Sequence, residues 1–401
     1  MPMARIGLPA LAGLALLWGC SGTIPEEQAT GTPSGESAVD RISIGTRVHL
    51  RSETLQEDRF LLVYVPESYA TSSFRYPVLY LLDGGSDFLH TVGIVEFLAA
   101  TDRIPELIVV GVENTNRSRD LTPPSDNAEE TAFWDEVGGA DRFRRFFRDE
   151  LIPFVEEGYR TQPYRILRGQ SFGGLFAIHD YMSGTPTFDA YITSSPAVSW
   201  NHGKLIGQVA EFSAGDAAAP LYLSAGGRDQ GGVVPNVRRF ADELERHAPP
   251  DLRWWYECFG DEGHYSLVLL STHNALRLLF EGWQVPDSIA ATADFDAYSR
   301  HYARLSTLLG HEVKIPMRSV IRLGNQLLRA KRFDEGVAVL KRNLELYPEQ
   351  PESYWHVGDG LVLSGKPELA RPYFEQALSK ALSLAGSDID RYRRSLEELG
   401  G

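Results

Sequence analysis

The stretch YRILRGQSFGGLFAIHDYM, Tyr164 to Met182, passes from a β-type apolar run straight into a helical pattern, with Ser171 wedged between glycines at the join. Within it Gly169-Gln170-Ser171-Phe172-Gly173 satisfies GxSxG, and a strand before and a helix after is the context that gives that motif meaning. Flanking glycines permit a sharp turn, because a side chain there would collide with the neighbouring strand or helix. Ser171 is then expected in a strained conformation, with its hydroxyl raised above a sheet. The adjoining helix start aims backbone N–H groups at charge forming on an attacked carbonyl.

Outward from this corner, RFLLVYVP, YPVLYLLD, ELIVVGVE, AYITSS, LYLSAG and RWWYECF read as further strands. Continuous runs such as Val78 to Leu82 suit strands covered on both faces, as in a mainly parallel sheet. Between them Phe143, Phe146, Phe147, Phe154 and Val155 share one helical face, and Val237, Phe240, Ala241 and Leu244 another. Strands alternating with helices predict an α/β three-layer sandwich over residues 41–285. A linker at 286–316 leads to a helical segment at 317–401 with an internal period of 34: Gly324 recurs as Gly358, Leu327 as Leu361, Gly336 as Ala370 and Leu340 as Phe374. That period, with Pro348 closing the first unit, resembles the tetratricopeptide repeat. Two repeats are fewer than usual, so Asp388–Leu399 is expected to cap them, or the repeats to lean on the body.

The chain has 401 residues, 43% of them hydrophobic, enough for two folded units. Its net charge of −15 opposes phosphate backbones, so no nucleic-acid partner is expected. The opening MPMARIGLPALAGLALLWGC carries Arg5 and then an apolar run too short to span a bilayer, which takes about 20 residues. It reads as a secretory signal over 1–19. Leu17-Trp18-Gly19-Cys20 resembles a bacterial lipobox, making Cys20 the lipidation residue; a plain signal peptide cut elsewhere is the alternative. Residues 20–40, rich in Ser, Thr, Gly, Pro and Glu, form a flexible tether in this reading. The expected location is periplasmic, with membrane attachment through the lipid anchor only. Apart from Cys20 the sequence contains one cysteine, Cys258, so acylation of Cys20 leaves no internal disulfide.

A serine hydroxyl needs a histidine to take its proton and an acid to orient that histidine. LYLSAGGRDQ supplies Asp229 just past a strand, and RWWYECFGDEGHYS supplies His264 just past the next; Glu257 and Asp261 are reserve acids. VLYLLDGGSDF offers Gly85 as the second oxyanion donor beside the N–H of Phe172. No close His, Cys or carboxylate cluster has metal-ligand spacing, and no phosphate loop or dinucleotide fingerprint occurs, so neither metal nor cofactor is expected.

YLLDGG, NTNRSRDLTPP, ELIPFVEEGYRT, RGQSFGGLFA, TSSPAVSW and FGDEGHYSLV together resemble the Putative esterase family of α/β-hydrolases, which includes enterochelin esterases, S-formylglutathione hydrolase and feruloyl esterases. The resemblance covers about Arg41 to Trp283, and the pairing with C-terminal tetratricopeptide repeats is similar to an arrangement known in that family. It implies Ser171 as nucleophile, His264 as base and Asp229 as acid, with Gln170 and Phe172 in place of the commoner His and Leu of the elbow. It also implies that the Arg119–Pro123 loop lies near the active site and that Trp200 is a pocket wall. By charge, Arg117 and Arg119 could meet an acidic or catecholate group of a siderophore-type ester; equally, Arg119 could pair with a carboxylate and hold its loop. The expected activity is a serine esterase on small-molecule esters. Its rivals are an acyltransferase of the same fold and a tethered scaffold whose repeats take a protein or peptide partner.

Overall fold

The structure, a computed structural model, describes residues 42–211, 219–384 and 388–400. The signal segment, Cys20 and the tether lie outside the described residues. The apolar runs form the strands expected of them: β2 (Glu57–Tyr64), β3 (Tyr76–Leu81), β4 (Ile108–Val112), β5 (Thr161–Gln170), β6 (Ala190–Ser194), β7 (Leu221–Gly226) and β8 (Trp254–Phe259). An eighth, β1 (Thr46–Ser52), went unread because its sequence, TRVHLRS, is an exposed edge with almost no apolar face. The sheet order is β1-β2-β4-β3-β5-β6-β7-β8. Pairing is antiparallel for β1 with β2 and β2 with β4, and parallel from β4 onward. β5 therefore lies in mid-sheet between β3 and β6, and Ser171 sits at its C-terminal end.

Helices cover both faces. On one lie α1 (Gly84–Ala100) and, further along the chain, the helices Leu267–Leu279 and Phe295–Leu309; on the other lie Ala140–Phe146, Ile152–Gly158, Phe172–Tyr181 and Val233–His247. Two short helices, α2 (Arg117–Leu121) and α3 (Ala128–Phe133), belong to the loop region after β4. Next come α4 (Ala140–Phe146), a π turn at Phe147–Leu151, and α5 (Ile152–Gly158). Phe146 and Phe147 are neighbours in sequence yet both fully buried. The widened turn brings Val155 back to the same core as Phe143, while Phe154 packs only partly against it. The remaining body helices are α6 (Phe172–Tyr181), α7 (Trp200–Gln208), α8 (Val233–His247) and α9 (Leu267–Leu279).

The C-terminal region is all helical: α10 (Phe295–Leu309), α11 (Met317–Arg329), α12 (Phe333–Leu346), α13 (Pro351–Leu363), α14 (Arg371–Ser383) and α15 (Ile389–Glu398). The period of 34 has a steric cause. A Cβ on Gly324 would come within 2.6 Å of Leu340, and one on Gly358 within 2.5 Å of Phe374, so each small residue marks a tight crossing of paired helices. Helix α15 covers the end, with Tyr392 buried against Ala377 and Ala381. The helices also lean on the body. Val320, Leu323 and Leu327 of α11 share one apolar core with Val92, Val95 and Leu98 of α1. Tyr347 meets Phe74 edge-on at 5.5 Å, and Gln350 Nε2 donates to Ser73 Oγ at 3.2 Å. The sheet strands and the C-terminal helices are thus continuous in packing across residue 285.

Candidate active site

Ser171 has φ 58° and ψ −115°, the strained conformation that the Gly-flanked turn implies. The reason glycine flanks it is contact: a Cβ on Gly169 would run into the backbone of Gly173, and one on Gly174 would lie 2.9 Å from Pro196 Cβ. The corner is also tied to the next strand end. Ser171 N donates to Ser194 O at 3.0 Å, and Ser171 O accepts from Ala197 N at 3.1 Å. Phe172 opens α6 and Gly85 is the second residue of α1, so both N–H groups fall in a first turn, where no carbonyl four residues back is available. A Cβ at Gly85 would meet nothing within 4 Å, whereas one at Gly84 would strike Gly111 at 2.6 Å. Gly84 thus seats the helix start against β4, and Gly85 faces open space.

The structure brings His264 and Asp229 together. Nδ1 of His264 lies 2.9 Å from each Asp229 carboxylate oxygen, and the Asp229 side chain is only 3% exposed. Glycines make this approach feasible: a Cβ on Gly226 would sit 2.7 Å from the carbonyls of Glu262 and Gly263, and one on Gly227 2.7 Å from Gly260. The loops after β7 and β8 can therefore pack backbone on backbone. Gln170, next to the serine, donates from Nε2 to His264 O at 3.0 Å, which ties the elbow to the histidine loop. The reserve acids are engaged elsewhere. Asp261 pairs with Arg228 at 2.9 Å, and Glu257 accepts from Tyr222 and from Asn274.

Three residues beside the corner are committed to partners within the protein. Arg119 is committed to protein: Nε donates to Asp120 at 2.8 Å and Nη2 to Glu57 at 2.7 Å. Arg59, buried in β2, bridges the same two carboxylates. Of the two roles open to Arg119, pairing with carboxylates that hold its loop is the one seen here, not contact with a substrate: two guanidinium groups and two carboxylates neutralise one another and pin α2 to the sheet. Burial works against the Glu57 carboxylate, yet the hydrogen bonds from Arg119 and Arg59 hold its pKa below the ordinary value. Arg117 sends Nε and Nη2 to Asp83, at 2.6 and 2.9 Å, and Nη2 also to the carbonyl of Gln170 at 3.1 Å. Burial opposes its charge too, but Asp83 overcompensates and its pKa rises. One guanidinium thereby clamps the turn before Gly84-Gly85 to the turn before Ser171. Trp200 is 5% exposed, donates Nε1 to Pro123 O at 2.9 Å and stands edge-on to Phe172 at 5.4 Å. It backs the Phe172 ring instead of lining open space.

Sequence reasoning missed Trp134, edge-on to Phe172 at 5.0 Å, and Tyr265, edge-on to His264 at 5.0 Å and strongly exposed. Adjacency to the histidine was a signal for Tyr265; nothing in the sequence pattern marked Trp134. Among the described residues no group of three or more His, Cys, Asp or Glu is placed to hold a metal ion, and no helix is long and apolar enough to cross a membrane.

An eight-stranded, mostly parallel sheet with a strained serine at a strand–helix corner defines this protein as an α/β-hydrolase, a serine ester hydrolase. Residues 52–253, half of the chain, match the family described as Putative esterase, and the chain belongs to that family. It is 27% identical over 275 residues to the ferri-bacillibactin esterase BesA of Bacillus subtilis (strain 168), covering 63% of this chain and 95% of that protein. It is 32% identical over 203 residues to the siderophore enterobactin esterase of Emericella nidulans, covering 44% of this chain and 66% of that one. Among solved structures, an IroE-like serine hydrolase from Shewanella oneidensis superposes with a TM-score of 0.65 at 27% identity, over 75% of this chain and 99% of its own.

Proposed function

We propose that the protein hydrolyses siderophore-type carboxylic esters through an acyl-enzyme, with Ser171 as nucleophile, His264 as general base and acid, and Asp229 as the group that orients His264. The observation that carries this reading is the pair of 2.9 Å contacts from His264 Nδ1 to a nearly buried Asp229 carboxylate. With Nδ1 so occupied, Nε2 is the nitrogen left to exchange a proton with the serine. Ser171 Oγ gives its proton to Nε2 as the Oγ–C bond forms. The carbonyl oxygen becomes an oxyanion facing the N–H groups of Gly85 and Phe172. Its collapse breaks the ester C–O bond, and the departing alkoxide takes the proton from His264. Water then attacks the acyl carbon, giving its proton to Nε2, and the serine leaves with that proton restored. Asp229 stabilises the imidazolium in both halves without becoming protonated.

The substrate class rests on the relatives named as siderophore esterases. The test is turnover of an iron-free or ferric trilactone and of a simple aryl ester by the wild type and by Ser171→Ala. The expected result is hydrolysis of both by the wild type, with a loss of about 10⁴-fold or more in the variant. Equal turnover by the two proteins removes the proposal. If the aryl ester is cut and the trilactone ignored, the siderophore assignment falls while the triad stands. The lipid anchor at Cys20 and the reading of α11 to α14 as tetratricopeptide repeats belong to the same proposal. Loss of lipid labelling in Cys20→Ala tests the anchor.

A further inference from the structure

We infer that Glu130 is a positioning residue that latches the loop carrying Trp134 over the elbow and thereby sets the enzyme's selectivity for bulky esters; the inference rests on Ser171 being the reacting centre. The loop after α2 closes on itself at its neck. Thr122 Oγ1 accepts from Gly138 N at 3.0 Å, and Thr122 O accepts from Ala140 N at 3.1 Å. Between these ends it carries α3, at whose end Phe133 and Trp134 are exposed. Trp134 stands against the Phe172 ring, directly beside the serine. None of the residues of α3 is buried, so apolar packing does not fix its place.

Polar contacts fix it instead: Asn116 Nδ2 donates to Glu136 Oε2 at 2.8 Å, and three more contacts converge on the Glu130 carboxylate. Asn201 N donates to Glu130 Oε1 and Oε2 at 3.1 and 2.9 Å, and Ser125 Oγ donates to Oε2 at 2.7 Å. Asn201 reciprocates, its Oδ1 accepting from Asp126 N at 3.2 Å. The donor side of the latch is itself unusual. Asn201 (φ 51°), His202 (φ 57°) and Gly203 (φ 73°) are three left-handed residues in succession at the start of α7. Non-glycine residues hold that conformation only where their surroundings impose it. A charged acceptor on the Asn201 N–H is such an imposition, and stronger than a neutral one. The strained turn and the loop therefore hold each other, with Trp200 anchoring the same turn to Pro123. On this inference a small ester reaches Ser171 without touching Trp134, whereas a bulky one lies against the exposed Trp134 ring beside Phe172.

The experiment compares kcat/KM for naphthyl phenylpropanoate with that for methyl acetate, each ratio normalised to the wild type. Glu130→Ala is expected to lower the ratio about tenfold, through KM of the bulky ester. Glu130→Gln, which keeps an oxygen for the Asn201 N–H, restores most of it. Trp134→Ala lowers the ratio similarly, and the double variant with Glu130→Ala adds nothing further, because both changes remove one wall. An unchanged ratio in Glu130→Ala, equal loss in the Ala and Gln variants, or additive effects with Trp134→Ala would each overturn the latch. Failure of the catalytic reading is separately visible, as undiminished turnover of both esters by Ser171→Ala.

Discussion

The two faces of the strand β5 region are held by different forces. At its C-terminal end, the elbow, the Gly84-Gly85 turn and the two loops bearing Asp229 and His264 are joined by hydrogen bonds and by backbone packed on backbone at glycine. Across the sheet, α1, α9, α10 and α11 are joined mainly by apolar burial in a single cluster. Hydrogen bonds fix angle and distance but contribute little net stability, while burial contributes stability in proportion to area and is tolerant of direction. Changes at the first region should therefore move rates and leave the fold alone, and changes at the second should do the reverse.

The most drastic way to break this contrast is to remove everything after Trp283. If the C-terminal helices were an independent module, the rest would remain an active esterase. Because Val320, Leu323 and Leu327 complete the core over α1, we expect instead an insoluble or molten product. The graded form is Leu323→Ala at a fully buried position, with an expected loss of about 2–5 kcal/mol in unfolding free energy and an unchanged kcat below the transition. Soluble, fully active truncated protein would show that the shared cluster is incidental. At the other region, Asp229→Asn keeps the shape but offers His264 Nδ1 a neutral partner. A fall in kcat of about 10⁴-fold with little change in Tm is expected, on the pattern of serine hydrolase triads generally. A Tm loss as large as that of Leu323→Ala would erase the distinction between the two regions.

Legibility in the sequence follows the same division. Strands such as β3 and β4 could be read because burial on both faces demands unbroken apolar runs, whereas β1, an edge with charged residues facing water, left no such trace. The period of 34 was visible because Gly324 and Gly358 each have one steric job. The strained corner at Ser171 and the pairing of Asp229 with His264 were legible from chain order and the strand ends they follow. The polar ties were not: Asp83 with Arg117, Glu57 with Arg119, and Glu130 with Asn201 join positions far apart in sequence with no spacing rule between them. Charge alone left Arg119 open between a ligand and a carboxylate of its own chain, and only the structure names Asp120 and Glu57 as its partners.

That last cluster gives the smallest and most specific test. Glu57 titrates below its ordinary value of 4.5 because Arg119 and Arg59 favour its charged form against the cost of burial. A depressed carboxylate pKa adds stability above the unfolded value, and that stability is lost as pH falls through the folded one. Glu57→Gln should therefore have a lower Tm than the wild type near neutral pH, and the gap should close as the pH is taken below 4.5. A gap that persists undiminished in acid would mean that Glu57 acts by shape and not by charge. The outcome bears on the active site at one remove. Glu57 steadies Arg119 and α2, which also carries Arg117, so a loosened network should lower kcat along with Tm near neutral pH. A kcat that stays level while Tm falls would instead place the four-charge cluster with the apolar region, as part of the scaffold.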